Sequence, residues 1–408
     1  MEQREVVIVA YGRSPACRAR KGGLADMHPI EYGAQVLNGV MARVPQLSPA
    51  DVEDVIMGCA MQFRETAMNV SQLIVNRAGW PDSVSGMTIN RFCSGGLQAI
   101  ALAHNAIACG QGDVMVAGGV ESMTLTFNVW PSLNGEAEDK WLSVNYPGAY
   151  MSMGQTAENV AMDYNISRVE MEEMALNSHI KAAKARKEGK LAPSIIPIKK
   201  TNSDGTPICD ENGNQIIVTE DDGILADKDG NLKTSMEKMA GMKPAFSDDG
   251  LVTAATSSQT TDCCAVVVLM AADKAKEMGI TPICKLKSFA VAGCDATRMG
   301  LGPIFATPKA MERAGLTMAD MSVIEINEAF ASQSLVCKRT LGMPEEITNP
   351  YGGAMALGHP LGCTGAILVG KVIDYLRDTY KGDVAGKYGL VTMCIGGAMG
   401  AAGILEML

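Results

Sequence analysis

The sequence is poor in histidine and in aromatic side chains. Of its 408 residues only four are histidines (His28, His104, His179 and His359), and Phe, Trp and Tyr together make up 5%. The twelve cysteines form no C-x-x-C pair and no Cys/His spacing of the zinc type, so no structural metal is expected. There is no excess of positive charge either: the net charge of −10 argues against a general nucleic-acid binder. It leaves room for an anionic ligand held by a local cationic patch or by helix N-termini. The opening "MEQREVVIVAYG" lacks the basic start and apolar run of a signal peptide. No stretch reaches the roughly 18 apolar residues that would span a bilayer. A soluble cytoplasmic protein whose cysteines are thiols is the expectation. No G-x-G-x-x-G follows the first strand pattern, so the many glycines do not read as a dinucleotide fingerprint.

What is present is an ordinary globular composition, 47% hydrophobic and 20% charged, in a chain long enough for two or three domains. The first 120 residues alternate strand and helix patterns. "EVVIVA", "DVIMGCA", "SGMTIN" and "DVMVAGG" read as strands; 30–42, 68–78 and 97–108 read as helices. That alternation predicts a mainly parallel sheet covered by helices. Residues 121–245 read as a loop-rich insertion, with one helical stretch from Thr156 to about Glu188 and then Asp, Asn and Gly turn chemistry. The βα character returns with "CCAVVVLMAA", "PICKLKSFAVAG", "MSVIEIN", helices at 329–341 and 363–380, and the strands "YGLVTMCIG" and "AGILEML". "NRFCSGGLQAIALA" and "NPYGGAMALGHPLGCTGAILVG" both run from Asn through glycines into an apolar helix, which hints at a duplicated α/β unit.

Four places carry candidate chemistry. Cys93, in "NRFCSGGLQA", falls where a strand gives way to a helix, and a helix N-terminus favours a thiolate. A small buried thiol fits that stretch equally well. His359, in "ALGHPLGCTGA", stands in a glycine-rich turn and is the natural basic partner for a thiol nucleophile. Cys394, in "VTMCIGGAMG", ends an apolar strand ahead of Gly396 and Gly397, whose N–H groups can face a ligand. Taken alone it reads as a core cysteine, or as an exposed thiol for acid–base work. Asn327, in "EINEAFASQ", is suited to an oxyanion site, though in isolation it reads as a helix cap.

In order and in spacing, "NRFCSGGLQA", "MGQTAENVA", "INEAFA", "GGAMALGHPLGCTGA" and "CIGGAMG" resemble the thiolase family over essentially the whole chain, with "GGVESMT" and "MKPAF" as further landmarks. The resemblance implies an α/β fold of two similar five-stranded βα halves stacked as five layers. It places the first half at 1–120 plus 246–272, a loop domain at 121–245 and the second half at 273–408. It implies an acyltransferase that cleaves a 3-ketoacyl-CoA with CoA as substrate and no tightly bound cofactor. Cys93 would be the nucleophile, with a pKa lowered by the helix end, and His359 its base. Cys394 would be the acid and base for the enolate. The N–H groups of Cys93 and Gly396 would form one oxyanion hole; His359 and a water held by Asn327 would form the other. Ser258 would contact the pantetheine, and Met153 and Phe330 would line the acyl or pantetheine channel.

The resemblance further implies a homodimer or homotetramer. "CIGGAMG" argues against a ketosynthase, and the presence of all four reactive residues argues against an inert lipid carrier. The wording is nearest to the degradative branch; a biosynthetic acetoacetyl-CoA thiolase shares the same chemical residues. The segment "VTAATSSQTTDCCAV" departs from the family pattern, with Ala255-Thr256 for Gly-Asn and Cys263-Cys264 for Gly-Ala. That departure motivates a variant reading, a thiolase for an aromatic or dicarboxylic acyl group with an accessory subunit. The cysteine pair reads as tight packing in preference to a vicinal redox pair.

Overall fold

The computed structural model describes residues 3–126, 138–146, 148–202 and 204–408. In the first half, the strands run in the order Ser85–Ile89, Asp54–Gly58, Val114–Ser122, Thr261–Ala271 and Val6–Arg13. The first three are parallel; Thr261–Ala271 is antiparallel to both its neighbours. The sheet is therefore mixed, where a mainly parallel one was expected. Parallel pairing follows from helical crossovers, and Thr261–Ala271 instead returns from the insertion.

The second half repeats the plan. Met321–Ile326 is parallel to Tyr388–Ile395, and Met399–Met407 and Cys284–Gly293 follow antiparallel. Four strands form here; the fifth place is held by one bridge, Ile324 to Thr348. A single pairing, Ile8 with Cys284, joins the two sheets.

Five layers follow from which faces are apolar. Helices Gly95–Ala108 and Thr364–Tyr380 lie between the sheets, where Ile100, Ile107, Ile373 and Leu376 share one core with Val267 and Val391. Helices Pro29–Met41 and Val70–Arg77 cover the outer face of the first sheet, burying Val36, Val40 and Ile74 against Val116, Val266 and Val268. Helices Gly302–Ala314 and Ala331–Leu341 cover the second, with Ala306, Ala310 and Cys337 against Ile324, Leu390 and Ile404. Period-two alternation explains how one strand serves two cores: Val267 points inward while Val266 and Val268 point outward.

Two local readings need correction. The helical stretch expected from Thr156 to Glu188 is two helices, Met153–Asp163 and Arg168–Lys187. Asn165 takes a left-handed φ of 51° between them, and Ser167 with Glu170 forms a capping box that starts the second. Helix Gly302–Ala314 lies in a stretch that the sequence pattern left unassigned; Pro308 inside it masks the signal. The turn-rich segment after 200 makes short antiparallel bridges, Thr201 to Pro207, Cys209 to Gln215 and Ala226 to Leu232, with Gly205, Gly213 and Gly230 at positive φ.

The halves meet through backbone at their centre. A side chain on Gly119 would collide with the carbonyl of Gly362, and one on Gly362 would stand 2.9 Å from Cα of Cys59. Glycine at both positions brings the strand ends of the first half against the turn that carries His359.

Candidate active site

The strand Ser85–Ile89 ends one residue before Asn90, whose side chain accepts a hydrogen bond from Phe92 N–H at 2.9 Å. Phe92 has φ of 41°, a left-handed conformation that a bulky residue rarely adopts. The chain reverses there into a 3₁₀ turn, Phe92–Ser94, and only then enters the helix Gly95–Ala108. Cys93 thus sits in the turn ahead of the helix. It is 7% exposed. The expected low pKa is not what this setting produces: burial dominates and pushes the thiol up to about 11, although the N–H groups of Gly396 and of Cys93 itself face the sulfur and act the other way. Those two donors are the pair expected for an oxyanion hole.

Cys394 ends the strand Tyr388–Ile395 and is fully buried, so the reading as an exposed thiol is corrected. Its pKa is raised, first by burial and next by the neighbouring Cys93. The two sulfurs are close enough that charge on one disfavours charge on the other. Asn327 follows the parallel strand Met321–Ile326 and is tied to the Cys394 strand by a hydrogen bond from its N–H to the carbonyl of Thr392, at 2.9 Å.

His359 is 5% exposed and its main-chain N–H reaches the carbonyl of Gln259 at 3.0 Å. Its ring Nδ1 lies 2.6 Å from Thr364 Oγ1, and its Nε2 lies 3.3 Å from Asn327 Nδ2. Burial pushes the imidazole down to about 4, which keeps it neutral at pH 7. Among the described residues no hydrogen bond joins Cys93 to His359. The structure therefore gathers the five candidates as two units, Cys93 with Gly396 and Cys394, and Asn327 with His359. Thr364 was missed by sequence reasoning; its position at the first turn of a helix five residues after His359 was the available signal.

The three candidate CoA contacts lie around one aromatic pair. Phe330 packs edge-on to Phe246, ring centroids 5.9 Å apart, and Phe246 lies against Gly154, next to Met153. Ser258 N–H bonds the carbonyl of Ala329 at 2.9 Å, and Ser257 bridges to Phe330. Phe246 belongs to the "MKPAF" landmark and packs in the same cluster. Cys263 and Cys264 lie in the strand Thr261–Ala271 and face opposite cores. Adjacent strand residues cannot turn their sulfurs to each other without breaking the pleat, which favours packing. Among the described residues no cluster of metal-ligating side chains forms. No helix among them is long and apolar enough to cross a membrane.

A duplicated βα fold whose halves meet over such thiols is that of a thiolase-type acyltransferase. The chain belongs to this family: the thiolase N-terminal domain matches residues 6–273 and the thiolase C-terminal domain residues 280–407. It is 40% identical to a 3-ketoacyl-CoA thiolase of Bacillus subtilis, over 99% of this chain and 100% of that one. A 3-ketoacyl-CoA thiolase of Vibrio cholerae is 37% identical over 98% of this chain and 99% of its own length. Among solved structures, the dimeric peroxisomal thiolase of Saccharomyces cerevisiae matches with a TM-score of 0.87 at 34% identity, over 100% of this chain and 98% of that one. The Bacillus anthracis acetyl-CoA acetyltransferase matches with a TM-score of 0.86 at 35% identity, over the full length of both.

Proposed function

We propose that this protein cleaves a 3-ketoacyl-CoA with CoA, giving acetyl-CoA and an acyl-CoA shortened by two carbons. The observation that carries the reading is the placing of Cys93, with two N–H donors on its sulfur and Cys394 beside it. The Cys93 thiolate attacks the 3-keto carbon, and the N–H groups of Cys93 and Gly396 hold the oxyanion. The C2–C3 bond breaks. The enolate of acetyl-CoA, held by His359 and by a water on Asn327, takes its proton from Cys394. The acyl group stays on Cys93 as a thioester. CoA then enters; Cys394, left as a thiolate, takes its thiol proton, the CoA sulfur displaces Cys93, and the departing Cys93 sulfur takes back its proton from His359. One difficult step is divided into two. Because burial holds the resting Cys93 as a thiol, the neutral His359 receives its proton only as substrate brings the groups together.

Ser258, Met153 and Phe330 belong to the CoA channel in this reading; the packing of Phe330 on Phe246 and the bridge from Ser257 to Phe330 support it for Ser258 and Phe330. The divisions at 121–245 and 273 are part of the same proposal, and the separate apolar cores on the outer faces of the two sheets favour the division between the halves. We place the enzyme in fatty-acid β-oxidation as a cytoplasmic homo-oligomer. The partly exposed strand Ser85–Ile89 at the sheet edge favours pairing with a second copy, and twelve free thiols suit a reducing compartment.

The test is thiolysis by the purified protein, with Cys93→Ala as control and size measured in solution. The panel holds acetoacetyl-CoA, medium and long 3-ketoacyl-CoAs, and one aromatic or dicarboxylic 3-ketoacyl-CoA. Turnover of longer chains is expected. Turnover of acetoacetyl-CoA alone would assign the biosynthetic role, and turnover of the bulky substrate alone would assign the specialised one.

A further inference from the structure

Glu121 stands near the end of the strand Val114–Ser122, whose other members are all buried. It is fully buried itself, and among the described residues no cation pairs with it. Its carboxylate is held by main-chain donors instead. Oε1 accepts from Met61 N–H at 3.0 Å; Oε2 accepts from Ala60 N–H and from Gly362 N–H, each at 2.9 Å. Cys59 Sγ lies 3.7 Å from Oε1, and the hydroxyl of Tyr32 donates to the carbonyl of Glu121 at 2.8 Å. Burying a carboxylate without a cation is costly, and an amide would leave one of these donors opposed.

The donors come from different halves of the molecule. Ala60 and Met61 follow the strand Asp54–Gly58 of the first half, while Gly362 belongs to the second half, three residues after His359 and two before Thr364. Gly362 has no side chain by which to be anchored, and its N–H is the handle. The same segment packs backbone to backbone on Gly58, Gly95 and Gly119, next to the turn of Cys93.

We propose that Glu121 is a positioning residue for thiolysis: its carboxylate ties Gly362 to the Ala60–Met61 turn and so holds His359 and Thr364 in register with Cys93. The inference rests on the thiolase reading above. Glu121 touches no reacting atom and acts through the Gly362 turn.

The test uses the full chain carrying Glu121→Gln, which keeps the shape and removes one acceptor. Two readouts are taken beside a melting curve: kcat and KM, normalised to Cys93 titrated by alkylation, and the ring signals of isotope-labelled histidine. With four histidines in the chain, each signal is assignable by single substitution. The expected result is a kcat at least tenfold lower with KM within twofold of wild type, and a displaced His359 signal while those of His28, His104 and His179 stay. An unmoved His359 signal in folded protein, or an unchanged kcat, overturns the proposal. A purely structural role lowers the melting temperature and leaves the His359 signal in place. If Glu121→Gln does not fold, Glu121→Asp, one methylene shorter with the charge kept, is read in the same way. Failure of the thiolase reading would show as inactive wild type, and the histidine signals would still decide the role of Glu121.

Discussion

Thr364 Oγ1 lies 2.6 Å from Nδ1 of His359, inside a region where both side chains are buried. The other ring nitrogen faces Asn327 Nδ2 at 3.3 Å. The same amide nitrogen lies 3.5 Å from Nδ1, and a hydroxyl can donate or accept, so the 2.6 Å contact with Thr364 fixes the orientation of the ring. The tautomer with the proton on Nδ1, given to the Thr364 hydroxyl, is the one the chemistry requires. It leaves Nε2 as the basic nitrogen, which a proton acceptor for Cys93 requires. When Nε2 takes a proton, the threonine oxygen still accepts from Nδ1 and steadies the imidazolium.

Thr364→Val keeps the shape and removes that oxygen. We expect kcat to fall 10- to 100-fold, the order associated with lost orientation around a catalytic histidine, with KM for the 3-ketoacyl-CoA little changed. Thr364→Ser should recover most of the rate. Steady-state kinetics decide it; equal activity of the valine and threonine forms removes the residue from the mechanism.

The setting of Cys93 makes a prediction about its resting reactivity. With its pKa pushed up to about 11 by burial, the thiolate fraction at pH 7 is small and grows about tenfold per pH unit. Alkylation of Cys93 by iodoacetamide, followed by mass spectrometry, should therefore steepen steadily from pH 7 to 10. A plateau near pH 8 would show an ordinary or activated thiol and would contradict the role of burial.

The reactive residues were legible in the sequence because their chemistry is tied to glycine-rich turns at strand ends, which leave a local mark. Cys93 before Ser94-Gly95-Gly96 and Cys394 before Ile395-Gly396-Gly397 are examples. What the pattern could not show is the balance of opposing effects on one group. The helix end and the two N–H donors argue for a low Cys93 pKa, and only the burial of the turn reverses it. Glu121 was illegible for another reason: it acts through a contact fixed by tertiary placement, meeting Gly362 across 241 residues of chain. Thr364 stands only five residues after His359, so its signal was local and was overlooked. Helix Gly302–Ala314 was hidden by Pro308, a local signal overridden by packing against the strand Met399–Met407.

Lys371 and Glu325 form a buried ion pair at 2.5 Å, with side-chain exposures of 4% and 0%. Lys371 Nζ also donates to the carbonyl of Gly352 at 2.5 Å. Burial raises the Glu325 carboxyl to about 7, against the opposing pull of Lys371. Removing the lysine alone leaves an uncompensated buried acid, and Lys371→Met should cost about 3–5 kcal/mol in urea unfolding. The double variant Lys371→Met with Glu325→Leu should recover most of that loss, since both charges then leave the interior together. Additive losses in the double variant would show that the two side chains do not act as a pair.

His179 offers a test of burial that is separate from catalysis. It lies in the helix Arg168–Lys187, 3% exposed, and its Nδ1 accepts a hydrogen bond from Leu225 N–H at 3.2 Å. Burial lowers its pKa to about 4, so the folded state holds the neutral ring. In the unfolded chain the ring titrates near 6.5. Between these values the unfolded state binds the proton and the folded state does not. The contribution to stability is thus fully present above about pH 6.5 and is lost as the pH falls through 4, at about 1.4 kcal/mol per pH unit. His179→Gln replaces the ring with a side chain that does not titrate. The stability difference between wild type and this variant should narrow by that slope from pH 6.5 downward, and stay constant above it. Measuring the difference removes every other titrating group common to the two proteins, including Glu325, whose raised pKa acts with the opposite sign. Parallel stability curves across the window would mean that His179 is protonated as readily in the folded protein as in the unfolded chain, and that the bond from Leu225 does not hold the neutral ring.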